Sequence, residues 1–436
     1  MVTEDDLARG KAMHDLARRL WSIPRSITGN GVRQTLRELQ NLCPNLTIHE
    51  VPSGTEVLDW RVPDEWNLRR ATLTDPDGCV VADTDINNLH VVGYSEPVHR
   101  LVSLEELQNH LHSIPEQPDA IPYVTSYYER RWGFCLAHRD RESLKPGTYE
   151  VKIDTRLTAG SLSYGEIIIP GDHPDEVFIS TYVCHPSMAN NELSGPVVAA
   201  EIARWLTARS KRRFTYRIVF IPETIGSITY LARHLSQLKE RVRAGFNVTC
   251  VGDERAFSYL PSRNGSTLAD TVARHVLEHA STAYTAYTWL DRGSDERQYC
   301  APGIDLPVVS MMRSKYWEYP EYHTSLDDLD SVVTPVGLAG GFALHRLAVE
   351  ILERNSVPTT RVLGEPQLGR RGLYSTLGAG RVSASPVLLL DVLSFCDGKY
   401  STLEIARIVG RSFFEVADAV DLLASHDLVD VIPTFA

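Results

Sequence analysis

A chain of 436 residues is long enough for two or three domains, each burying its own core. Hydrophobic residues at 43% and charged residues at 23% are ordinary for a globular protein, while a net charge of −12 disfavours nucleic acid as a bulk partner. The first twenty residues carry Glu4, Asp5 and Asp6 in place of the basic-then-apolar pattern of a secretory leader, and no run reads as a bilayer span. Seven scattered cysteines, odd in number and without a Cys-x-x-Cys pair, argue for reduced thiols and against a disulfide framework or a thiolate zinc site. A cytoplasmic protein, without membrane partner, is the expectation.

In chain order, residues 1–50 read as two helices. Leu7, Met13, Leu16 and Leu20 form one apolar stripe, the loop Pro24-Arg25-Ser26-Ile27-Thr28-Gly29 follows, and Val32 to Leu42 forms the second. From about 55 to 153 the chain is dense in Trp, Tyr, Pro and short alternating runs, among them Tyr123 to Tyr128 and Tyr149 to Ile153. This predicts a separate β-rich insertion spanning 55–153. The middle then alternates strand and helix patterns: strand Glu176 to Cys184, helix Ser194 to Ala208, strand Phe214 to Pro222, helix Gly226 to Lys239, strand Ala244 to Gly252, helix Ser266 to His279, strand Leu306 to Met312 and helix Pro335 to Glu353. Strands separated by helices of that length predict an α/β domain, 1–54 with 154–360, built on a mostly parallel sheet flanked by helices.

A Gly/Arg/Ser-rich link through Ala384 leads to three helical stripes, Val387 to Cys396, Ser401 to Val409 and Phe413 to Ser425. That is the pattern of a small winged-helix-like domain over 365–436. Residues 386–436 hold eight acids and three bases, whereas a DNA reader needs a basic face, so protein contact is the favoured reading and a homo-oligomer is expected.

The chemistry gathers where parallel strands end, since a parallel sheet brings its carboxyl ends to one edge. His185 follows one strand in Cys184-His185-Pro186, and Asn191-Glu192 lies in the loop before the next helix. Glu223 follows the next strand, Asp253 the one after, and His323 sits in Tyr322-His323-Thr324-Ser325. Asp295 and Glu296 occupy a polar loop with Arg292 and Arg297. Neutral imidazoles with carboxylates are the ligand set of a catalytic Zn²⁺ or a similar ion. Arg292, Arg297 and Arg313 are candidates for holding a substrate carboxylate, and Tyr316, Trp317, Tyr319 and Tyr322 for walling a pocket.

The order His185, an acid near 191–192 before Ser194-Gly195, Glu223 before Gly226-Ser227, Asp253, then Tyr322-His323-Thr324 resembles the M28-type zinc aminopeptidases. The segments Pro24 to Gly29, Cys184 to Ser187, Pro222 to Ser227 and Tyr322 to Ser325 are similar to the DUF4910 subgroup, often linked to polysaccharide or natural-product gene clusters. That resemblance implies a zinc-exopeptidase-like domain interrupted by a DUF2172-type β-rich insertion and followed by a winged helix. It further implies two zinc ions bridged by one carboxylate, with His185 and Asp253 on one ion, His323 and a glutamate on the other, and a second glutamate as base. This sequence departs at two places. Glu223 stands alone between Pro222 and Thr224, and Asn191 occupies the position of the bridging aspartate.

Three arrangements stay open at this point. Glu192 as the shared ligand gives each of two ions three ligands, His185, Asp253 and Glu192 against Glu192, Glu223 and His323, but leaves no base. Without Glu192 each ion has two. A single ion frees Glu223 as base, as in the glutaminyl-cyclase relatives of this fold. The expected activity is metal-dependent hydrolysis of an amide bond in a small aminoacyl or peptide-like substrate. Glu223 and Glu192 are its catalytic candidates, and Asn191, Arg292, Asp295, Arg297 and Tyr322 its substrate contacts. The alternatives are an altered, ligand-binding accessory protein of a biosynthetic pathway, or a single-zinc acyltransferase or cyclase.

Overall fold

The computed structural model describes residues 2–280, 283–373 and 385–433. Most of the link toward Ala384 lies outside them. The centre is an eight-stranded sheet running Thr47–Pro52, Ser161–Ile169, Thr215–Ile221, Glu176–Tyr182, Val242–Asn247, Val308–Met312, Ser258–Leu260 and Thr285–Ala286. The four middle strands are parallel neighbours, and Glu176–Tyr182, buried at every residue, lies among them. Burial on both faces is why that strand reads as a continuous apolar run in the sequence. Toward the edges Thr47–Pro52, Ser161–Ile169 and Ser258–Leu260 pair antiparallel. The sheet is therefore mixed, with a parallel centre.

Alternation along these strands divides the interior in two. Val177 and Ile179 enter one core with Ile218 and Phe220, whereas Phe178 and Tyr182 enter the other with Val219 and Ile221. Helices Glu4–Trp21, Ser194–Ala208, Leu268–Ala280 and Pro335–Arg354 supply the first core, and Ile225–Arg241 covers the second. Glu4–Trp21 starts on a Thr3/Asp6 capping box, and Pro335–Arg354 on Thr334 with proline at its first turn. Pro335–Arg354 is long and apolar enough to cross a membrane, which the sequence reading did not foresee. With 72% of its apolar stretch buried inside the protein, its composition is that of a central core helix.

Within the insertion, Glu65–Thr74, Val80–Asp83, Val98–Ser103 and Thr148–Thr158 form a four-stranded antiparallel sheet. Its apolar residues Trp66, Leu73, Val151 and Ile153 belong to the same core as Phe178 and Tyr182. Insertion and α/β region thus share one interior. The alternating run Tyr123 to Tyr128 forms no strand. Tyr123 to Ser126 is extended chain whose Tyr123 N–H donates to the His323 carbonyl at 2.8 Å, and Tyr127-Tyr128 turn away from it, so the alternation reflects lining a cleft.

Pro386–Ser394, Thr402–Val409 and Phe413–Ser425 form the C-terminal unit, closed by antiparallel pairing of Ser356–Thr360 with Val429–Pro433. The last two helices start on capping boxes, Ser401/Glu404 and Ser412/Glu415. The unit is docked on the body. Phe413 N–H donates to the buried His275 Nε2 at 2.8 Å, and Asp418 and Asp421 pair with Arg354 at 2.8 and 2.9 Å.

Two stability tests follow from buried charge. Arg217, 2% exposed, donates to Glu176 and Glu166 on neighbouring strands and to the Tyr230 hydroxyl. Removing it leaves the buried Glu176 only Arg241, at 3.8 Å, and Arg217→Met should cost about 3–5 kcal/mol, read as a lowered chemical-unfolding midpoint; an unmoved midpoint would show the network idle. Burial, then His279 beside it, lowers the His275 pKa to about 4. A histidine kept neutral only when folded leaves stability full above about pH 6.5 and eroding as pH falls toward 4, where unfolding takes up the proton. His275→Asn should flatten that part of a pH series of unfolding midpoints, and an unchanged slope would refute the assignment.

Candidate metal centre

The site begins with a helix that lacks a cap of its own. Residues Ala189–Leu193 form a π-helical turn leading into Ser194–Ala208, and no side chain within it satisfies the first amides. Asp327, far along the chain, accepts from Asn190 N–H at 2.7 Å and Asn191 N–H at 2.9 Å, and Tyr319 donates to it at 3.1 Å. At Gly195 a Cβ would stand 2.4 Å from the Val248 carbonyl and from Thr181 Oγ1, so only glycine lets the turn seat against the sheet. This wide turn aims Glu192 inward, beneath the strand end that carries His185.

Glu192 Oε2 and His185 Nδ1 are hydrogen-bonded at 2.9 Å, and neither residue is appreciably exposed. Arg25, fully buried, lies 3.7 Å from Glu192 Oε1, and donates to the carbonyls of His185 at 3.0 Å and Leu20 at 2.6 Å. Burial pushes the Glu192 pKa up to about 8, with Arg25 pulling against it. Arg25, whose guanidinium keeps its proton, favours the carboxylate form of Glu192 against that burial, across 3.7 Å and without a hydrogen bond between them. Nδ1–H of His185 then donates to Glu192, and the Nε2 lone pair is left for the other side. Burial first, and Arg25 second, lowers the His185 pKa to about 3, so the ring is neutral.

On that other side His185 Nε2 is 3.7 Å from Glu223 Oε2, and the His323 ring centroid is 5.7 Å from that of His185. Burial, then His185, lowers His323 to about 3 as well. Tyr123 packs edge-on against both imidazoles, at 5.0 and 5.2 Å, and Tyr322 stacks on His323 at 4.0 Å. His323 and Thr224 hold φ of 58° and 62°, the left-handed region that a β-branched threonine rarely enters. Asp295 holds Thr224 there, accepting from its N–H and from Ser227 Oγ, each at 2.8 Å, while Arg297 donates to Thr224 Oγ1 at 2.6 Å. Strain of this kind persists where the surroundings over-determine it, and here it sets the direction of Glu223.

These groups open on a cavity of 330 Å³. Trp60, Tyr123, Tyr127 and Tyr128 of the insertion form its aromatic wall. Glu223, Arg297 and the two histidines face them.

Of the residues singled out from sequence, His185, Glu192, Glu223 and His323 are brought together, with Asp295 beneath Thr224, Arg297 at the cavity and Tyr322 behind His323. Asp253 is not brought in. Its Oδ1 accepts from Arg255 N–H and Ser314 Oγ, and its Oδ2 from Asn190 Nδ2 and Ser314 N–H, all within 3.0 Å, so the carboxylate is spent organising loops. Asn191 turns its amide oxygen toward the Tyr182 hydroxyl at 3.1 Å. Arg292 is exposed and lies over Trp289. Arg313 donates to the Asp253 carbonyl at 2.6 Å. Tyr316 and Tyr319 are buried in a cluster of their own with Tyr322 packed against it, bonding to Glu296 and Asp327. Sequence reasoning missed the roles of Arg25, Tyr123 and Asp327. All three lie in or beside quoted segments, but nothing local shows what they touch.

Two positions for a divalent ion are conceivable. Ligand atoms of Cys184, His185 and Glu192 lie within 4.8 Å of one another. That knot is closed: Nδ1 already serves Glu192, Cys184 Sγ accepts from Glu223 N–H at 3.3 Å, and Arg25 adds a positive charge. The set His185 Nε2, Glu223 and His323 has the more suitable donor chemistry, although its three ligand atoms do not all lie within 4.8 Å of one another and His323 has to move closer to complete it. It comprises two neutral imidazoles and a carboxylate facing a cavity, and two ligands of a tetrahedral zinc stand roughly 3.3 Å apart, close to the 3.7 Å between His185 and Glu223. Burial beside Asp295 pushes the Glu223 pKa up to about 8, a shortage of positive charge that a dication would relieve.

Comparison with known proteins agrees with this architecture. The family described as "Domain of unknown function (DUF4910)" matches residues 14–355, and a winged helix-turn-helix family matches 356–431. A Clostridium acetobutylicum protein, provisionally described as a polysaccharide biosynthesis protein with an aminopeptidase-like domain, is 41% identical over 97% of both chains. A crystal structure from the same organism, provisionally described as a peptidase, superposes with TM-score 0.93 at 40% identity over 98% of each chain. A zinc aminopeptidase from Bacillus subtilis shares the fold at TM-score 0.56 and 14% identity, covering 78% of this chain and 94% of its own. The fold is therefore that of the M28 zinc aminopeptidases, and the chain belongs to the DUF4910 family.

Proposed function

We propose that this protein is a metal-dependent amide hydrolase that holds a single zinc ion on His185, Glu223 and His323 and cleaves small peptide-like substrates. The observation that carries the reading is the 2.9 Å hydrogen bond between His185 Nδ1 and the Glu192 carboxyl, with Arg25 3.7 Å from that carboxyl; with the proton on Nδ1, Nε2 is left unprotonated toward the cavity. A histidine ligand oriented from behind by a carboxylate is the usual support of a catalytic metal. Glu192 has that supporting role here, in place of bridging two ions. With Asp253 saturated and Asn191 a neutral amide, a second ion lacks its ligands. The description of the Clostridium relative points to a biosynthetic pathway as the setting.

When bound, the ion supplies a Lewis acid for the scissile carbonyl and a water acidified toward neutral pH. The chain does the rest. His185 and His323 stay neutral because charging them in this interior is costly. Tyr123 keeps the two rings apart and, through its backbone bond to His323, ties the insertion to the catalytic loop. Tyr123 and Tyr127 share one hydrogen bond of 2.9 Å, and the Ser26 hydroxyl is a second partner of Tyr127. Glu223, with two oxygens, has one available to take a proton and return it to the leaving nitrogen. The aromatic wall limits water around the reacting bond.

Metal analysis of protein purified without chelator should find about one zinc per chain. His323→Ala and Glu223→Gln should abolish uptake, whereas Glu192→Gln, which retains an acceptor for Nδ1–H, should weaken it by roughly 10- to 100-fold, with circular dichroism verifying the fold. Two ions per chain would restore the bridged site. No zinc, and none gained on addition, would leave the ligand-binding accessory reading.

A further inference from the structure

An aminopeptidase needs an anionic group to receive the free α-ammonium of its substrate, and this cavity has none to offer. Among the described residues that line it, the one carboxylate is Glu223, already assigned to the ion. Glu192 is sealed behind His185, and Asp295 is fully buried beneath Thr224. The fixed charge facing the cavity is instead positive. Arg297 lines it, is solvent-exposed, and forms no ion pair within 4.0 Å among the described residues, though its charge acts on the nearby Glu223 and Asp295. It is also held in place: its guanidinium donates to Thr224 Oγ1 at 2.6 Å, the residue next to Glu223, and its backbone follows the locked Asp295. Four of its five N–H donors remain for a ligand, a number suited to a bidentate carboxylate.

The opposite wall is built for a ring. Trp60 and Tyr128 meet edge to face at 5.7 Å and stay 39% and 55% exposed, so both rings offer surface to a ligand in the cavity they line. Both sit on left-handed backbone or beside it: Tyr128 has φ 66°, and Leu58, in the turn before Trp60, φ 53°. Deeper in, Tyr123 and Tyr127 continue the aromatic surface toward the histidines.

Resting on the hydrolase reading above, we infer that the substrate is an N-acylated amino acid or a similar anionic amide, whose carboxylate docks on Arg297 and whose acyl ring stacks on Trp60 and Tyr128. The reaction is then deacylation. Water adds to the acyl carbon, the C–N bond breaks, the proton of that water goes to the departing nitrogen, and a carboxylic acid and a free amino acid are released. An aminoacyl compound with a free ammonium places its charge in an environment that already holds a cation and an arginine, which costs affinity.

The test compares zinc-loaded protein on N-benzoylglycine, its uncharged analogue benzoylglycinamide, and phenylalaninamide, which carries a ring and an ammonium without a carboxylate. N-benzoylglycine should be preferred over phenylalaninamide by at least about tenfold in kcat/KM, as expected for one charge contact near 1.4 kcal/mol. Arg297→Met should lower the ratio of N-benzoylglycine to benzoylglycinamide by a similar factor, chiefly through KM. Trp60→Ala should reduce the preference for N-benzoylglycine over N-acetylglycine. Preference for phenylalaninamide, or a charge ratio untouched by Arg297→Met, would overturn the inference. Calorimetric binding of N-benzoylglycine separates it from the hydrolase reading. Binding that depends on Arg297 without turnover would sustain the ligand class and sink the hydrolase, and no binding would sink the ligand class.

Discussion

The constraint on which the site depends is a buried charge pair. Arg25 and Glu192 are both removed from water, and neither is tolerable in this interior without the other. Their pairing ties the loop after the first helix to the π-helical turn before Ser194–Ala208, and it brings an anion to within hydrogen-bonding reach of His185. One electrostatic necessity thereby sets a loop position, the depth of a helix start and the tautomer of a candidate ligand. Asp327 acts in the same sense from outside, as a distant carboxylate serving two amides that the helix leaves open.

The β-rich insertion is part of the same construction. Its Trp66, Val151 and Ile153 share a core with the second face of the main sheet, so the two regions do not have separate interiors. Its Tyr123 touches both imidazoles, and its backbone pairs with the His323 loop. The α/β region provides the strand ends, and the insertion provides the wall that makes a cavity of them. The C-terminal unit has a different relation to the body. It is fastened through His275 and Arg354, and its third helix uses Asp418 and Asp421 in that contact. An acidic helix engaged with its own chain is poorly suited to a phosphate backbone.

Much of the α/β framework was legible because its signals are local. Alternating buried strands and amphipathic helices have periods that survive in any window of the sequence, and Ser194–Ala208 and Phe413–Ser425 lie where their stripes predicted. The edges were harder. Strand direction at the margins depends on how the chain returns after the insertion, which no window reports. Pro335–Arg354 looked like an ordinary helix in pattern, yet its central burial leaves it as apolar as a membrane span. Tyr123 to Tyr128 alternates as a strand does, because one side of an extended segment lines a cleft.

For the site, sequence alone determined which residues stand at strand ends. His185 and Glu223 are fixed there by the apolar runs before them, and the motif around His323 places it in the facing loop. It also determined that Asn191 brings no charge. Only the tertiary structure decided what each group touches. Asp253 has the right residue type at the right strand, yet four donors from Asn190, Ser314 and Arg255 take its carboxylate. Glu192, one residue from the expected ligand position, is drawn behind His185 by Arg25. Hydrogen-bond saturation and the pairing of buried charge act through space, between segments up to hundreds of residues apart, and a linear sequence records the participants without recording the contacts.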